Sequence, residues 1–112
     1  MKTTELSFKI TVDENNLPVQ ITWDAPDAGE RSECKSVMIA LWDAKENNTM
    51  RIDLWTKEMM VDEMADFFYQ TLTTMADTYN RATHHQELTD EMKEFAKTFY
   101  KKFRDKQLKE GK

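Results

Sequence analysis

The first part of the chain alternates between apolar and polar positions, which is the pattern of half-buried β-strands. The alternation covers residues 6–12 and 17–23, and residues 13–16 between them are the Asp and Asn types that favour tight turns. Pro18 stands near the start of the second strand, where a missing N–H is tolerated. Residues 24–36 contain Pro26, Gly29 and six charged side chains, so they predict an exposed loop.

A second hairpin is predicted over residues 37–55. Residues 37–42 are apolar at both parities, which is typical of a strand covered on both faces. Residues 45–48 predict a turn, and apolar side chains alternate again from residue 50 to 55. The two hairpins together predict a four-stranded antiparallel sheet over about residues 5–56.

The second part of the chain changes to a helical period, with apolar residues every three or four positions over about residues 60–83 and 88–106. Thr89 is the expected N-cap of the second helix. Residues 105–112 form a basic tail that is expected to fray. The stripe of the first helix is Val61, Met64, Phe68, Leu72, Met75, Tyr79 and Ala82, and that of the second is Leu88, Met92, Phe95, Ala96, Phe99, Tyr100 and Phe103.

This order of elements predicts an α+β fold: a four-stranded antiparallel sheet of two hairpins, followed by two C-terminal helices packed on one face. The 112 residues predict a single domain. The mean hydropathy of −0.79 and the lack of a long apolar run argue against a transmembrane segment. The lone Cys34 and the polar first residues predict a cytoplasmic protein without a signal peptide.

Charge is unevenly distributed along the chain. The net charge is −5, yet residues 93–112 hold eight Lys and Arg against three Asp and Glu, which leaves −10 on residues 1–92. The acidic total argues against nucleic acid as the main partner. The basic segment either complements the negative end of the helix dipole or contacts an acidic protein or an anionic membrane.

No enzyme signature and no cofactor motif is present in the sequence. His84 and His85 are adjacent, whereas metal-binding helices place their ligands four residues apart, so we interpret the pair as connector residues. A weak zinc site with Glu87 and Asp90 stays open as the alternative. Cys34 has no local histidine partner and is interpreted as a loop residue without a catalytic role.

Protein contact is the chemistry that the sequence favours. Methionine recurs at binding surfaces that adapt to several partners, and the chain has eight Met and three Trp. Two helices can cover only one face of the strand at residues 37–42, so either its odd-numbered or its even-numbered side chains would be exposed. This predicts a homo-oligomer or a partner protein unless residues 24–36 fold over the exposed face. Asp62 and Asp66 form either a solvated acidic face or part of a contact. The candidate contact residues are Trp42, Trp55, Met59, Asp62 and Asp66.

Two long blocks carry a family resemblance: MRIDLWTKEMMVDEM over residues 50–64 and FFYQTLTTMADTYNRAT over residues 67–83. With ITWD at 21–24 and ALWD at 40–43, the chain from about residue 6 to 103 resembles the gliding-motility protein GldC family of Bacteroidota. Met60 departs from that pattern, in which a proline opens the helix, so the helix start can differ. The resemblance implies a small cytoplasmic protein tied to the gliding machinery and its associated secretion apparatus, without catalytic residues or a cofactor.

Three functional hypotheses follow. The leading one is a non-enzymatic accessory or scaffold protein of the gliding machinery that acts through protein contacts. The second is a holdase for exported motility proteins, because strands followed by two helices are similar in layout to the homo-oligomeric export chaperone SecB. The third is a small metal-binding protein or enzyme that uses His84 and His85.

Overall fold

The chain divides into two compact units, Met1–Met59 and Met60–Lys112. The computed structural model describes residues 1–110, with all strands in the first unit and both long helices in the second. The predicted α+β class is therefore confirmed. The packing of the helices on one face of a sheet and the assignment of a single domain stay predictions.

Five strands build the first unit, and all of their pairings are antiparallel. They form one three-stranded sheet in the order β1-β2-β3 and one two-stranded sheet, β4-β5. The predicted single sheet of four strands is wrong, because β3 and β4 follow one another with only Lys35 between them and do not pair. The strands are β1 (Ser7–Val12), β2 (Pro18–Ala25), β3 (Glu30–Cys34), β4 (Ser36–Trp42) and β5 (Thr49–Trp55).

Strand β3 lies inside the segment that the sequence predicts to be a loop, so that prediction is wrong. A short 3-10 turn, Pro26–Ala28, and Gly29 with φ of 70° reverse the chain after β2. Glu30 then pairs with Ala25, and the ladder continues to Cys34. Four of the five β3 residues are polar and exposed, so the strand has no apolar alternation. Such charged edge strands resist pairing with other chains.

The turn between β1 and β2 is organised by Asp13. Its carboxylate accepts hydrogen bonds from the N–H groups of Asn15 at 2.8 Å and Leu17 at 3.0 Å. Lys57, which follows β5, places its Nζ 2.7 Å from Asp13 Oδ2 and so ties the end of the first unit to this turn. The Lys57 hydrogen bond, followed by the backbone N–H of Leu17, lowers the pKa of Asp13 to about 2.

The second unit is an antiparallel pair of helices. Helix α1 (Val61–Thr83) confirms the predicted first helix. Its N-cap is Met60, whose N–H donates to Glu63 Oε1 at 3.0 Å, so Glu63 satisfies one backbone donor at the start of the helix. The helix ends at His84, which adopts a left-handed conformation with φ of 61° and donates its N–H to the Asn80 carbonyl.

Helix α2 (Gln86–Glu110) is longer at both ends than predicted. Thr89 is therefore not an N-cap. The helix includes residues 105–110, and the fraying of this end stays a prediction; residues 111 and 112 lie outside the described residues. Thr89 is 1% exposed, and its hydroxyl lies 3.2 Å from Asn80 Oδ1 and 3.0 Å from the His85 carbonyl. It serves as a packing residue that joins α2 to α1.

Few side chains are buried among residues 1–110. The buried apolar residues are Ile21 in β2 and three alanines, Ala65, Ala76 and Ala96, in the helices. Thr56, after β5, is 4% exposed, and its hydroxyl has no hydrogen-bond partner in the described chain. An unpaired buried hydroxyl is costly, so Thr56 is a weak point of the first unit.

The two buried threonines predict stability changes of opposite sign. Thr56→Val removes an unpaired hydroxyl at nearly constant volume and is expected to raise the free energy of unfolding by about 1 kcal/mol. Thr89→Val, the matched control, leaves the Asn80 amide oxygen without a donor and is expected to lower it by about 1–2 kcal/mol. Urea unfolding followed by circular dichroism measures both. Destabilisation by Thr56→Val would contradict the assignment of an unpaired hydroxyl.

The Asp13–Lys57 pair predicts a defined acid dependence. Because the pKa of Asp13 is lowered by folding, its ionisation stabilises the fold above pH 4, and this contribution is lost as the pH falls to about 2. Lys57→Met is expected to raise the pKa of Asp13 toward 3.8, whereas Lys2→Met should leave it unchanged. Carboxyl-carbon NMR titration measures this. An Asp13 that titrates near its ordinary value in the unsubstituted protein would contradict the ion pair.

Candidate contact surfaces

One face of the β4-β5 sheet is entirely apolar. The register pairs Ile39 with Ile52 at the centre. Opposed residues of an antiparallel pair lie on the same face, and side chains alternate between the faces along each strand. This surface, called the apolar sheet face below, consists of Val37, Ile39, Leu41, Met50, Ile52 and Leu54. Leu41, Met50 and Ile52 are 50–55% exposed, so the surface is half open to solvent.

The other face of the β4-β5 sheet carries both candidate tryptophans. Trp42 lies opposite Thr49 and Trp55 opposite Ser36, so the two indoles stand at opposite ends of the hairpin, about 20 Å apart. Both are exposed. The Arg51 guanidinium, which lies between them, contacts Asp53 Oδ1 at 2.7 Å. The structure thus places the tryptophans on one face without bringing them together into one site.

The outer edge of β5 is an unpaired strand edge within the described residues, since its sheet has only two strands. Two hydrogen bonds bracket the ladder: Thr56 N–H donates to the Lys35 carbonyl, and Asp43 N–H to that of Asn48. Hydrogen-bonded pairs alternate along an antiparallel ladder. When the alternation is counted from these two bonds, the backbone N–H and C=O groups of Arg51, Asp53 and Trp55 are found to point away from β4.

The acidic candidates lie at the start of α1. Asp62 is exposed in the first helical turn. Asp66 accepts a hydrogen bond from the Tyr100 hydroxyl of α2, and this bond, followed by desolvation, raises the pKa of Tyr100. Asp66 is therefore part of the helix pair as well as of its surface. Met59 is half-buried, and its N–H donates to the Thr56 carbonyl at 3.1 Å.

The residues considered for metal or nucleophilic chemistry are engaged in local contacts. His85 Nδ1 lies 2.8 Å from the Tyr79 hydroxyl, and His84 terminates α1. No group of three or more His, Cys, Asp and Glu side chains within residues 1–110 is arranged to hold a metal ion. Cys34 ends β3 instead of lying in a loop, and burial raises its pKa, which disfavours the nucleophilic thiolate at neutral pH.

The apolar pattern of residues 37–42 left open which of the two faces of this strand lacks cover. The apolar sheet face contains one of the two sets, Val37, Ile39 and Leu41, and contact through the tryptophans stays a prediction. In this face, the odd-numbered residues of β4 lie opposite the even-numbered residues of β5. Recognising the face from the sequence requires the strand register, which the turn at residues 43–48 sets. Within the described residues, neither helix is long and apolar enough to cross a membrane.

Comparison with known proteins identifies the family of the chain. The family model described as "Gliding motility-associated protein GldC-like" matches residues 18–105, most of the chain. The protein therefore belongs to the GldC-like family, which is a motility-associated family and not a family of enzymes. No curated protein and no solved structure matches the chain.

The Tyr100–Asp66 hydrogen bond predicts a measurable titration. Asp66→Asn removes the charge and the strongest acceptor, so the pKa of Tyr100 is expected to fall toward its ordinary value of 10. Asp62→Asn, the matched control one turn earlier in α1, should have a smaller effect because Asp62 acts on Tyr100 only through its charge. NMR of the ring-labelled tyrosine measures both. An equal response to the two substitutions would contradict a direct hydrogen bond.

Proposed function

We propose that the protein is a non-enzymatic accessory protein of the gliding machinery, located in the cytoplasm, that acts by binding another protein. Its partner, a component of the motility or associated secretion apparatus, contributes an extended segment that adds to the outer edge of β5. The observation that carries the proposal is the uncharged apolar sheet face beside an open strand edge.

Strand addition satisfies both features at once. The outward N–H and C=O groups of Arg51, Asp53 and Trp55 would pair with the main chain of the added segment. Alternate apolar side chains of that segment would extend the apolar sheet face and cover Met50 and Ile52. A two-stranded sheet is marginally stable in water, so a third strand also stabilises the sheet that receives it.

The five candidate contact residues have different roles in this proposal. Trp55 lies on the β5 edge itself and would contact the added segment directly. Trp42 and Met59 flank the sheet as further apolar contacts. Asp62 and Asp66 lie in the second unit, where their carboxylates offer a separate acidic contact for a basic partner surface.

A holdase of the SecB type is the second candidate, favoured by the same exposed Met50, Leu41 and Ile52 side chains. A holdase would bind many unfolded segments at the apolar sheet face, whereas an accessory protein binds one partner. Suppression of aggregation of an unrelated unfolded protein at near-stoichiometric ratio would favour the holdase. The metal-binding alternative has no group of side chains within residues 1–110 to support it.

Blocking the β5 edge is the direct test. Asp53→Pro removes an outward N–H and leaves the β4-β5 ladder intact, because Asp53 does not donate to β4. In a gliding bacterium whose own copy is replaced, Asp53→Pro is expected to abolish spreading. A photoreactive amino acid in place of Met50 should crosslink to a motility or secretion component, and Asp53→Pro should reduce the yield about tenfold or more.

Asp53→Ala is the matched control, since it also removes the exposed ion pair with Arg51 but keeps the N–H. It is expected to preserve both spreading and crosslinking, because exposed ion pairs contribute little. Circular dichroism and protein abundance in cells check that both variants fold. Normal spreading and crosslinking by a folded Asp53→Pro variant would overturn the proposal.

A further inference from the structure

The order of side chains along β5 is complementary to itself when the strand is reversed. The strand Thr49–Trp55 has 7 residues, and Ile52 stands at its centre. Its two charged residues, Arg51 and Asp53, lie on either side of Ile52 and have opposite signs. A second β5 strand that runs antiparallel and is centred on the same isoleucine therefore places Arg51 of each copy opposite Asp53 of the other.

The hydrogen-bonding pattern of the strand edge agrees with this arrangement. The outward backbone groups belong to the odd-numbered residues of β5, whereas the N–H and C=O of Ile52 point to β4. A twofold axis can pass between two residues that are not hydrogen-bonded to each other, so it can pass between two copies of Ile52. Arg51 and Asp53 of the two copies then form hydrogen-bonded pairs, and the two edges together make about eight backbone hydrogen bonds.

The two charges select this register over its neighbours. A shift of two residues in one direction would place Arg51 opposite Arg51, and a shift in the other direction would place Asp53 opposite Asp53. Like charges directly opposite one another are destabilising. A shift of one residue would bring apolar side chains to the polar face. Charges that protect an edge strand from most other strands thus permit one antiparallel arrangement of β5 with itself.

Both faces of the resulting sheet are compatible with the pairing. On the apolar sheet face, Ile52 lies opposite Ile52 of the second copy, and Met50 lies opposite Leu54. On the other face, the Arg51 guanidinium and the Asp53 carboxylate, 2.7 Å apart within one copy, each gain an opposite charge from the second copy. These groups are accessible, since Met50 and Ile52 are 55% and 50% exposed and the Arg51 and Asp53 side chains 45% and 41%.

We propose that the outer edge of β5 pairs with the β5 edge of a second copy, so that two β4-β5 hairpins form one four-stranded antiparallel sheet with its twofold axis at Ile52. The pairing joins two sheets of two strands, each marginally stable alone, into a sheet of four. The segment of the proposed function would use the same edge, so the dimer closes this edge in the absence of that segment. The dimer itself does not rest on the proposed function.

The first test exchanges the two charges. Sedimentation equilibrium of the purified full chain over a wide range of concentration is expected to show a monomer–dimer equilibrium. Arg51→Asp alone and Asp53→Arg alone each place two like-charged pairs across the axis, so each is expected to weaken the dimer about tenfold or more. Arg31→Asp on β3, the matched control, should leave the dimer unchanged.

Mixing the two single variants tests the antiparallel register. An equal mixture is expected to form a heterodimer, because every substituted position then faces an opposite charge on the other copy. The double variant, Arg51→Asp with Asp53→Arg, should dimerise with itself for the same reason. Recovery by mixing also shows that both single variants are folded. If circular dichroism shows folded variants and the mixture stays monomeric, the register is overturned.

A disulfide at the axis provides a measurement that leaves the charges unaltered. Opposed residues that are not hydrogen-bonded to each other lie about 4.5 Å apart at Cα, which a disulfide can span. In a Cys34→Ser background, Ile52→Cys is expected to form a linked dimer with oxidised glutathione. Leu41→Cys, the matched control, is exposed on the same face but lies on β4, and should link about tenfold more slowly or less.

Three results would overturn the inference. The first is an unsubstituted chain that stays monomeric at every concentration. The second is a dimer that neither single charge variant weakens, since it would form through another surface. The third is equal linking of the Ile52→Cys and Leu41→Cys variants. All of these measurements use the purified chain alone, so their failure would leave the crosslink from Met50 to a motility or secretion component as an independent test of the proposed function.

Discussion

The helical unit is built on the close approach of α1 and α2 along small side chains. Ala65, Ala76 and Ala96 are buried together with Thr89. Because small residues occupy the contact line, the large apolar residues next to them are directed to one side of the pair, and the charged residues to the other. The same packing that closes the helix pair therefore leaves Phe68, Met75 and Phe95 exposed.

The strand unit also leaves large apolar side chains exposed. Only Ile21 is a fully buried large apolar side chain among the described residues, and a two-stranded sheet cannot cover its own apolar face. Leu41, Met50 and Ile52 consequently remain half exposed. Both units thus have more apolar surface than they bury. In a protein of a motility-associated family, such surface is well suited to contacts with other proteins.

Sequence patterns predicted the strands with clear alternation and both helices, because those elements have strong periodicity. They did not predict β3, because a polar edge strand lacks the alternation of apolar and polar residues that marks a half-buried strand. Within the α1 stripe, Val61, Phe68, Met75 and Ala82 are exposed, and the buried alanines beside them line the contact between the two helices. Periodicity identifies the apolar half of a helix, but not which part of it meets the neighbouring helix.

The apolar sheet face was only partly predictable from the sequence for the same reason. Trp42 and Trp55 are conspicuous by type, whereas the apolar sheet face depends on which residue of β4 lies opposite which residue of β5. A one-residue change of register would have moved Met50 and Ile52 to the other face. The register of β4 and β5 is set by the turn at residues 43–48 and by the tertiary fold.

The most direct test of the account is the solvent exposure of the methionine methyl groups, measured by NMR with a soluble paramagnetic agent at low and high protein concentration. Met75 reports on the exposed apolar residues of the helices, and Met50 on the apolar sheet face. Both methyls are expected to relax strongly in the monomeric chain at low concentration. A Met50 or Met75 methyl that is protected in the monomeric chain would contradict the exposure of apolar surface on that unit.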